Sequence, residues 1–303
     1  MRFRPAIRLI LALILAFSVS FAYADGAVRA RYLGSFPWTM DKPWFGGWSG
    51  IELSADGQRM TAITDRGFFL RAEIRRDGDQ ITGIKPRKAW RLKASTGNYL
   101  TSRIIDSEGL AVEPNGAANI SFEGITRVSN YARPAASARV LTRHKEFRGF
   151  ARNKSLEALA IDQSGRLYAI PEQRQRGAKI RVFVLDDDIW STPFTLNGGG
   201  GFLPVGSGFL SVGADFGPEG RLYLLERAWS ILGFRSRVRR WDIVEGQPMN
   251  EQLLVQTSIG THDNLEGLAV WRDDQGRTRL TMISDDNFRA GQRTEIVEYA
   301  IQE

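Results

Sequence analysis

A sequence repeat occurs five times along this chain. Each copy has a short apolar segment, a glycine turn that also contains Asp, Glu, Asn or Ser, and a second apolar segment ending near an acidic residue. The copies are 59, 49, 55 and 56 residues apart, measured between their turn glycines, which are Gly57, Gly116, Gly165, Gly220 and Gly276. A period near 50 residues with about four short strands per copy is typical of a β-propeller.

The ends of the chain indicate how such a ring would close. The last copy has three strands and lacks a fourth, whereas an additional strand at 28–33 precedes the first copy. We therefore predict an all-β chain forming a single five-bladed propeller. Its last blade would be completed by the N-terminal strand, because closure removes exposed sheet edges. Six blades is the alternative, since the long region 83–106 could contain a degenerate blade.

Residues 1–24 have the three parts of a Sec-type signal peptide. Three arginines lie within the first eight residues, an apolar run covers 9–22, and a small-x-small site ends directly before Asp25. The alternative is an N-terminal anchor, but the run is shorter than the ~20 residues that a membrane-spanning helix needs. We predict a cleaved signal and a mature domain over 25–303, periplasmic or secreted, that does not span the membrane.

Composition excludes several classes of function. The formal net charge is +7, which favours small anionic partners, but no nucleic-acid recognition motif is present. There is no cysteine, and His144 and His262 are the two histidines. Thiolate chemistry and zinc sites rich in Cys or His are therefore excluded. We expect a monomer that binds a small anionic substrate and no nucleic acid.

Acidic residues recur at two positions of the repeat. The first strand of a blade starts where the antiparallel second strand ends, so both positions lie at the same end of the propeller. We therefore expect eight carboxylates at one mouth of the central channel. The first position holds Ser49, Glu108, Glu157, Val212 and Glu266, and the second holds Asp65, Glu123, Glu172, Glu226 and Asp285.

Carboxylates packed this closely repel each other, and burying them without partners is unfavourable. Hard cations such as Ca²⁺ or Mg²⁺, which prefer oxygen ligands, would relieve this repulsion. Arginine would do the same, and Arg66, Arg174 and Arg227 each lie within two residues of one of these acids. The alternative is a purely structural role, in which the acids bond backbone groups of neighbouring blades.

A separate basic cluster, Arg235, Arg237, Arg239 and Arg240, occupies the third strand of the fourth copy. We predict that this cluster lies on a solvated outer strand of the blade. Docking to an anionic surface is the second interpretation.

Several segments resemble the bacterial phytase-like domain known as "esterase-like activity of phytase", and the resemblance extends over about 35–300. They are Phe45-Gly-Gly-Trp-Ser-Gly-Ile51, Thr64-Asp-Arg-Gly67, Ser155-Leu-Glu-Ala-Leu-Ala160, Asn264-Leu-Glu-Gly-Leu-Ala269 and Ser284-Asp-Asp-Asn-Phe288.

This resemblance implies metal-assisted hydrolysis of phosphate or other anionic esters, with Ca²⁺ or another hard divalent ion as cofactor. The implied metal ligands are Glu108, Glu157, Glu266 and Asp285. The catalytic candidates are Glu157, Glu266, Asp65 and Ser49, and the substrate-binding candidates are Arg66, Arg174, Arg227 and His262.

Three alternatives are open. A serine esterase would use Ser49 with His262, although Gly47-Trp-Ser-Gly50 is not the Gly-x-Ser-x-Gly elbow of α/β-hydrolases. A calcium-dependent lactonase would use a similar acidic mouth. A non-catalytic propeller would bind envelope sugars or peptides, with Trp38, Trp44 and neighbouring aromatic residues either stacking on the ligand or filling the core.

Overall fold

A computed structural model of the protein describes residues 28–151, 155–172, 179–198 and 208–302. The predicted signal peptide lies outside these residues. Within them, no helix is both long and apolar enough to cross a membrane.

The fold is a five-bladed β-propeller in which each blade is a four-stranded antiparallel sheet. Blade 1 contains β2 (Trp48–Leu53), β3 (Arg59–Thr64), β4 (Phe68–Asp77) and β5 (Gln80–Arg91). Blade 2 contains β6 (Ser107–Val112), β7 (Ala118–Phe122), β8 (Arg127–Tyr131) and β9 (Arg139–Val140). Blade 3 contains β10 (Leu156–Ile161), β11 (Leu167–Pro171), β12 (Lys179–Asp186) and β13 (Ile189–Asn197). Blade 4 contains β14 (Leu210–Phe216), β15 (Leu222–Ser230), β16 (Gly233–Val244) and β17 (Gln247–Gln256). Blade 5 contains β18 (Asn264–Arg272), β19 (Thr278–Asp285), β20 (Glu295–Gln302) and β1 (Arg29–Pro37).

Ring closure follows the prediction. Strand β1 from the N-terminal end pairs antiparallel with β20, from Arg29 opposite Gln302 to Pro37 opposite Glu295. The region 83–106 forms the end of β5 and the connection to blade 2, not a sixth blade. Five blades and closure by the N-terminal strand are thus confirmed.

The repeated glycines make the same turn in every blade. Their φ angles lie between +67° and +86°, where a side chain on an L-residue is strained. Each glycine N–H donates to the carbonyl three residues earlier, at 2.7–2.9 Å. This geometry joins the first strand of each blade to its second, and explains why glycine recurs in all five copies.

Apolar side chains fill the spaces between neighbouring blades. Between blades 3 and 4, for example, Tyr168 and Ile170 belong to the same buried cluster as Leu222 and Leu224. Trp38, which follows β1, and Trp48, at the start of β2, belong to the core between blades 5 and 1, where they stack with ring centroids 4.9 Å apart. Of the two interpretations of this aromatic cluster, core packing is therefore confirmed for Trp38 and Trp48.

Candidate functional site

Every innermost strand carries a β-bulge at the same place. In β2, Trp48 pairs with Thr64 and Gly50 with Ile63, so that Ser49 has no opposite residue. A bulge bends its strand and redirects the side chain of the extra residue. The residues at this place are Ser49, Glu108, Glu157, Val212 and Glu266, which are those of the first repeat position.

The propeller axis is closed just below these bulges. A Cβ atom on Gly109 would lie 2.8 Å from the Glu157 carbonyl oxygen, and one on Gly213 would lie 2.6 Å from that of Glu266. Innermost strands of adjacent blades therefore meet backbone to backbone, and glycine allows this approach. The bulge residues consequently lie at a cavity that opens at one end of the axis, called here the mouth.

The second set of acids is placed by a backbone hydrogen bond common to three blades. The N–H of Asp65 donates to the Gly47 carbonyl at 2.7 Å, and the N–H of Glu123 donates to that of Asp106 at 2.9 Å. Glu172 does the same in blade 3, at 3.0 Å. Each acid thus follows directly on the end of its second strand, above a bulge.

Blade 4 differs from this arrangement. Its strand pairing places Glu226 opposite Ser211 and Arg227 opposite Leu210, one step further toward the mouth. By this register Arg227, not Glu226, is equivalent to Asp65 and the other acids. The expectation that Glu226 contributes a carboxylate to the mouth is wrong, because neighbouring residues of a strand point to opposite faces of the sheet.

Glu226 instead neutralises the basic cluster of β16. Its carboxylate is fully buried and accepts two hydrogen bonds from Arg237, at 2.7 and 2.8 Å, and two from Arg239, at 2.7 and 2.9 Å. Arg237, Arg239 and Arg240 are likewise buried. The prediction of a solvated outer strand is therefore wrong for these three residues.

Blade 2 contributes the densest group of acids. One carboxylate oxygen from each of Asp106, Glu108 and Glu123 lies within 4.8 Å of the other two, a spacing that could hold a metal ion. Sequence reasoning missed Asp106. Its position two residues before Glu108, in the same repeat, is the signal that could have identified it.

Electrostatic coupling shows that acids from four blades share the cavity. Burial, followed by the charge of Glu157, raises the pKa of Glu108 well above its usual value. Burial and the charge of Asp106 raise the pKa of Asp65 to about 7. Burial and the charge of Glu266 raise the pKa of Asp285 to about 8. Without a cation, these groups therefore hold their protons up to a higher pH than ordinary carboxyl groups do.

Arg227 supplies an internal positive charge to this cavity. Its guanidinium donates to Glu266 Oε1 at 2.5 Å, to Asn264 Oδ1 at 2.6 Å and to Glu172 Oε1 at 3.4 Å. Burial alone would lower the pKa of Arg227, but the neighbouring carboxylates, with Glu266 first among them, raise it. The side chain thus bridges acids of blades 3 and 5.

The other predicted site residues have different surroundings. Ser49 is buried, and its hydroxyl donates to the Ser107 carbonyl at 2.6 Å. His262 Nε2 lies 2.7 Å from the hydroxyl of Tyr299, so Ser49 and His262 are not hydrogen-bonded to each other. Arg66 is exposed, and Arg174 lies outside the described residues.

Two of the resembling motifs meet at the mouth. Asp286 Oδ1 accepts the backbone N–H groups of Gly47 and Phe288, both at 3.1 Å. The Arg66 guanidinium carbon lies 3.1 Å from the centroid of the Phe288 ring. Gly47 has φ +63° and leaves no room for a side chain beside Asp65. The motifs at 45–51 and 284–288 therefore form one wall of the cavity.

The donor set fits a hard cation. Eight carboxylates line the mouth, and the described part of the chain places Arg66 and Arg227 beside them. Asp65 Oδ1 is buried, and no described residue donates a hydrogen bond to it. Ca²⁺ prefers such oxygen ligands and compensates their charge. The eight are Asp65, Asp106, Glu108, Glu123, Glu157, Glu172, Glu266 and Asp285.

Comparison with solved structures finds propellers of low sequence identity. A calcium-binding regucalcin from Agrobacterium tumefaciens strain C58 is 11% identical, over 91% of this chain and 95% of that chain, with a TM-score of 0.48. A PQQ-bound aldose sugar dehydrogenase from Streptomyces coelicolor is 10% identical, over 91% and 100%, with a TM-score of 0.47. A gluconolactonase from Xanthomonas campestris is 15% identical, over 83% and 72%, with a TM-score of 0.41.

Comparison with curated proteins finds no match. The family model "esterase-like activity of phytase" matches residues 43–288, which include all five innermost strands and every acid of the mouth. On this match, the chain belongs to the phytase-like family.

Proposed function

We propose that this protein hydrolyses a small anionic ester, in the first instance a phosphate ester, at the mouth of the propeller with a bound divalent cation such as Ca²⁺. The observation that carries the proposal is the convergence of bulge residues Glu108, Glu157 and Glu266 with Asp65 and Asp285 in one cavity. Membership of the phytase-like family supports ester hydrolysis as the reaction class.

The carboxylates of blades 2 and 3 are the best candidates to hold the cation. The ligand set predicted from sequence was Glu108, Glu157, Glu266 and Asp285. The spacing in blade 2 adds Asp106 and Glu123 to it. Arg227 forms an ion pair with Glu266 of blade 5, so this carboxylate is less available as a ligand for the cation. When bound, the ion supplies positive charge that stabilises the charge developing on the ester oxygens.

The protein's own side chains would perform the remaining steps. Arg66, exposed at the rim, can bind two anionic oxygens of the substrate in bidentate fashion. Asp65, whose buried Oδ1 accepts no hydrogen bond from a described residue, can take a proton from the attacking water. Arg227 holds the Glu266 carboxylate in position.

Metal analysis combined with hydrolysis assays tests the proposal. The purified protein would be assayed with p-nitrophenyl phosphate, p-nitrophenyl acetate and a small lactone, each with Ca²⁺ or with a chelator. We expect a bound divalent ion and chelator-sensitive turnover of the phosphate ester. Turnover of the lactone alone would favour a calcium-dependent lactonase, and neither ion nor turnover would favour a binding module.

Three variants test the roles proposed for Glu157, Arg66 and Ser49. Glu157→Gln should abolish most of the turnover. Arg66→Ala should weaken substrate binding by about 1.5–3 kcal/mol, the value of a charge-assisted hydrogen bond. Ser49→Ala is the matched control, since Ser49 occupies the same bulge position in blade 1. Complete loss of turnover in Ser49→Ala would instead support a serine nucleophile.

We also propose that the protein is exported after cleavage before Asp25. The support is the three-part signal in residues 1–24. N-terminal sequencing of periplasmic material should begin at Asp25. An intact Met1 in the membrane fraction would contradict export with cleavage.

A further inference from the structure

The β15–β16 hairpin of blade 4 extends beyond the mouth. Its ladder continues past Arg227 to the pair Ser230 and Gly233, so Ile231 and Leu232 form a two-residue tip. Ile231 lies four positions after Arg227, which corresponds to roughly 13 Å along a strand. In blade 1 the equivalent hairpin is short, because β4 begins at Phe68, three residues after Asp65.

The tip is apolar and exposed to solvent. Ile231 is 79% exposed and Leu232 is 74% exposed, and Trp229 just below them is 50% exposed. Ile259, from the connection to blade 5, lies beside the tip, because a Cβ atom on Gly233 would be 3.6 Å from its Cγ2. We call Trp229, Ile231, Leu232 and Ile259 the apolar tip. Adjacent exposed apolar side chains of this size mark an interaction site.

Charge is distributed unequally between the two faces of the propeller. In the described connections on the mouth face, one acid, Asp41, is exposed against eight bases, namely Lys42, Arg66, Arg103, Arg143, Lys145, Arg148, Arg289 and Arg293. In the described turns on the opposite face, one base, Arg133, is exposed against five acids, namely Asp56, Asp187, Asp188, Glu245 and Asp274. An anionic surface would therefore attract the exposed rim of the mouth face and repel the turns of the opposite face.

We propose that the mouth face docks reversibly on an anionic lipid membrane, with the apolar tip inserted among the lipids and the basic rim against their headgroups. Aromatic and aliphatic side chains beside Lys and Arg are the combination that binds a membrane interface. A soluble polyanion would use the basic rim but has no need for Ile231 and Leu232. This inference goes beyond the proposed hydrolysis and does not depend on it.

Vesicle sedimentation tests the docking directly. The purified chain would be mixed with vesicles of phosphatidylglycerol and phosphatidylcholine, and with vesicles of phosphatidylcholine alone. We expect binding to the anionic vesicles and little to the zwitterionic ones. Binding should fall in 1 M NaCl, where the Debye length is about 3 Å.

A double variant, Ile231→Ser with Leu232→Ser, should weaken binding to anionic vesicles by about tenfold or more, because it removes the inserted apolar surface. Ile189→Ser is the matched control, since Ile189 is 71% exposed at a hairpin turn of the opposite face. All variants should melt at the temperature of the wild type, because these side chains are exposed.

Trp229 provides an independent readout. Vesicles with brominated acyl chains should quench its fluorescence, and Trp229→Phe should lose that part of the quenching. Equal vesicle binding by the tip variant and the wild type would overturn the proposal. Binding to heparin without binding to anionic vesicles would overturn it too, and would assign the basic face to a soluble polyanion.

Discussion

Blades 2 and 4 have the same four-stranded architecture and the same bulge, but they place opposite charges at the mouth. Blade 2 brings Asp106, Glu108 and Glu123 within 4.8 Å of one another. Blade 4 presents Val212 at its bulge and Arg227 above it. The acid of this blade, Glu226, is buried within the blade, where it pairs with Arg237 and Arg239.

This difference between blades 2 and 4 shows how a repeated fold produces a single asymmetric site. Blade 4 neutralises its buried charges internally through the contacts of Glu226 with Arg237 and Arg239. Blade 2 leaves its acids without an arginine ion pair among the described residues. Repulsion between carboxylates therefore remains in blade 2, where a cation could relieve it.

Glu226→Gln should have the largest effect on stability. It leaves two buried guanidinium groups without their carboxylate, and breaking a buried ion pair costs about 3–5 kcal/mol. Urea denaturation measures the free energy of unfolding. The matched control is Glu251→Gln, since Glu251 also bonds Arg239 but has a side chain 38% exposed. That control should cost less than about 1 kcal/mol; equal losses in both variants would show that burial of Glu226 does not matter.

Glu108→Gln tests blade 2. It should lower calcium affinity by about 10- to 100-fold, because it removes a charged ligand oxygen. In contrast to blade 4, the ion-free fold should become more stable, because the neutral amide avoids the cost of burying a carboxylate or of taking up a proton on folding. Titration calorimetry and thermal melting in chelator measure the two effects. Unchanged affinity, or destabilisation without ion, would show that Glu108 is a structural cap.

Arg227→Gln makes blade 4 more like blade 2, because it removes the positively charged side chain that blade 4 places at the mouth. Glu266 and Glu172 would then lack this guanidinium, so calcium affinity should rise, by up to about tenfold. The ion-free protein should melt at a lower temperature and be rescued by Ca²⁺. Arg66→Gln, at the exposed rim, is the control and should change calcium affinity less. Loss of calcium binding in Arg227→Gln would contradict the role of Arg227 as a competing cation.

The stability of the ion-free protein should also depend on pH. The pKa values of Asp65 and Asp285 are raised to about 7 and about 8, mainly by burial. In the unfolded chain they would be near 3.9. The folded protein therefore binds these protons more tightly. The resulting contribution to stability is complete below about pH 4 and is lost as the pH rises through 7 and 8.

Melting temperatures from about pH 5 to 8.5 would measure this effect. In chelator the protein should lose stability toward high pH, whereas with Ca²⁺ the loss should be smaller, because the ion replaces the protons. A calcium effect that is constant across this range would contradict ion binding to these acids.

The sequence by itself determined the blade count, the closing strand and the position of most acids. These follow from local rules: a glycine with positive φ lies in the turn of each inner hairpin, and the bulge residue lies eight residues before that glycine in four copies and ten before it in the fifth. The distance from glycine to the second acid varied between six and nine residues, however, and so did not fix the register of blade 4.

Only the tertiary structure decided which of Glu226 and Arg227 faces the cavity. A shift of one residue along a strand exchanges the two faces of the sheet, and strand pairing sets that choice. The sequence did not reveal the burial of Arg237 and Arg239 either, because their partner Glu226 lies on another strand. Asp106 likewise became part of the site through contacts with Glu108 and Glu123, which a repeat pattern does not contain.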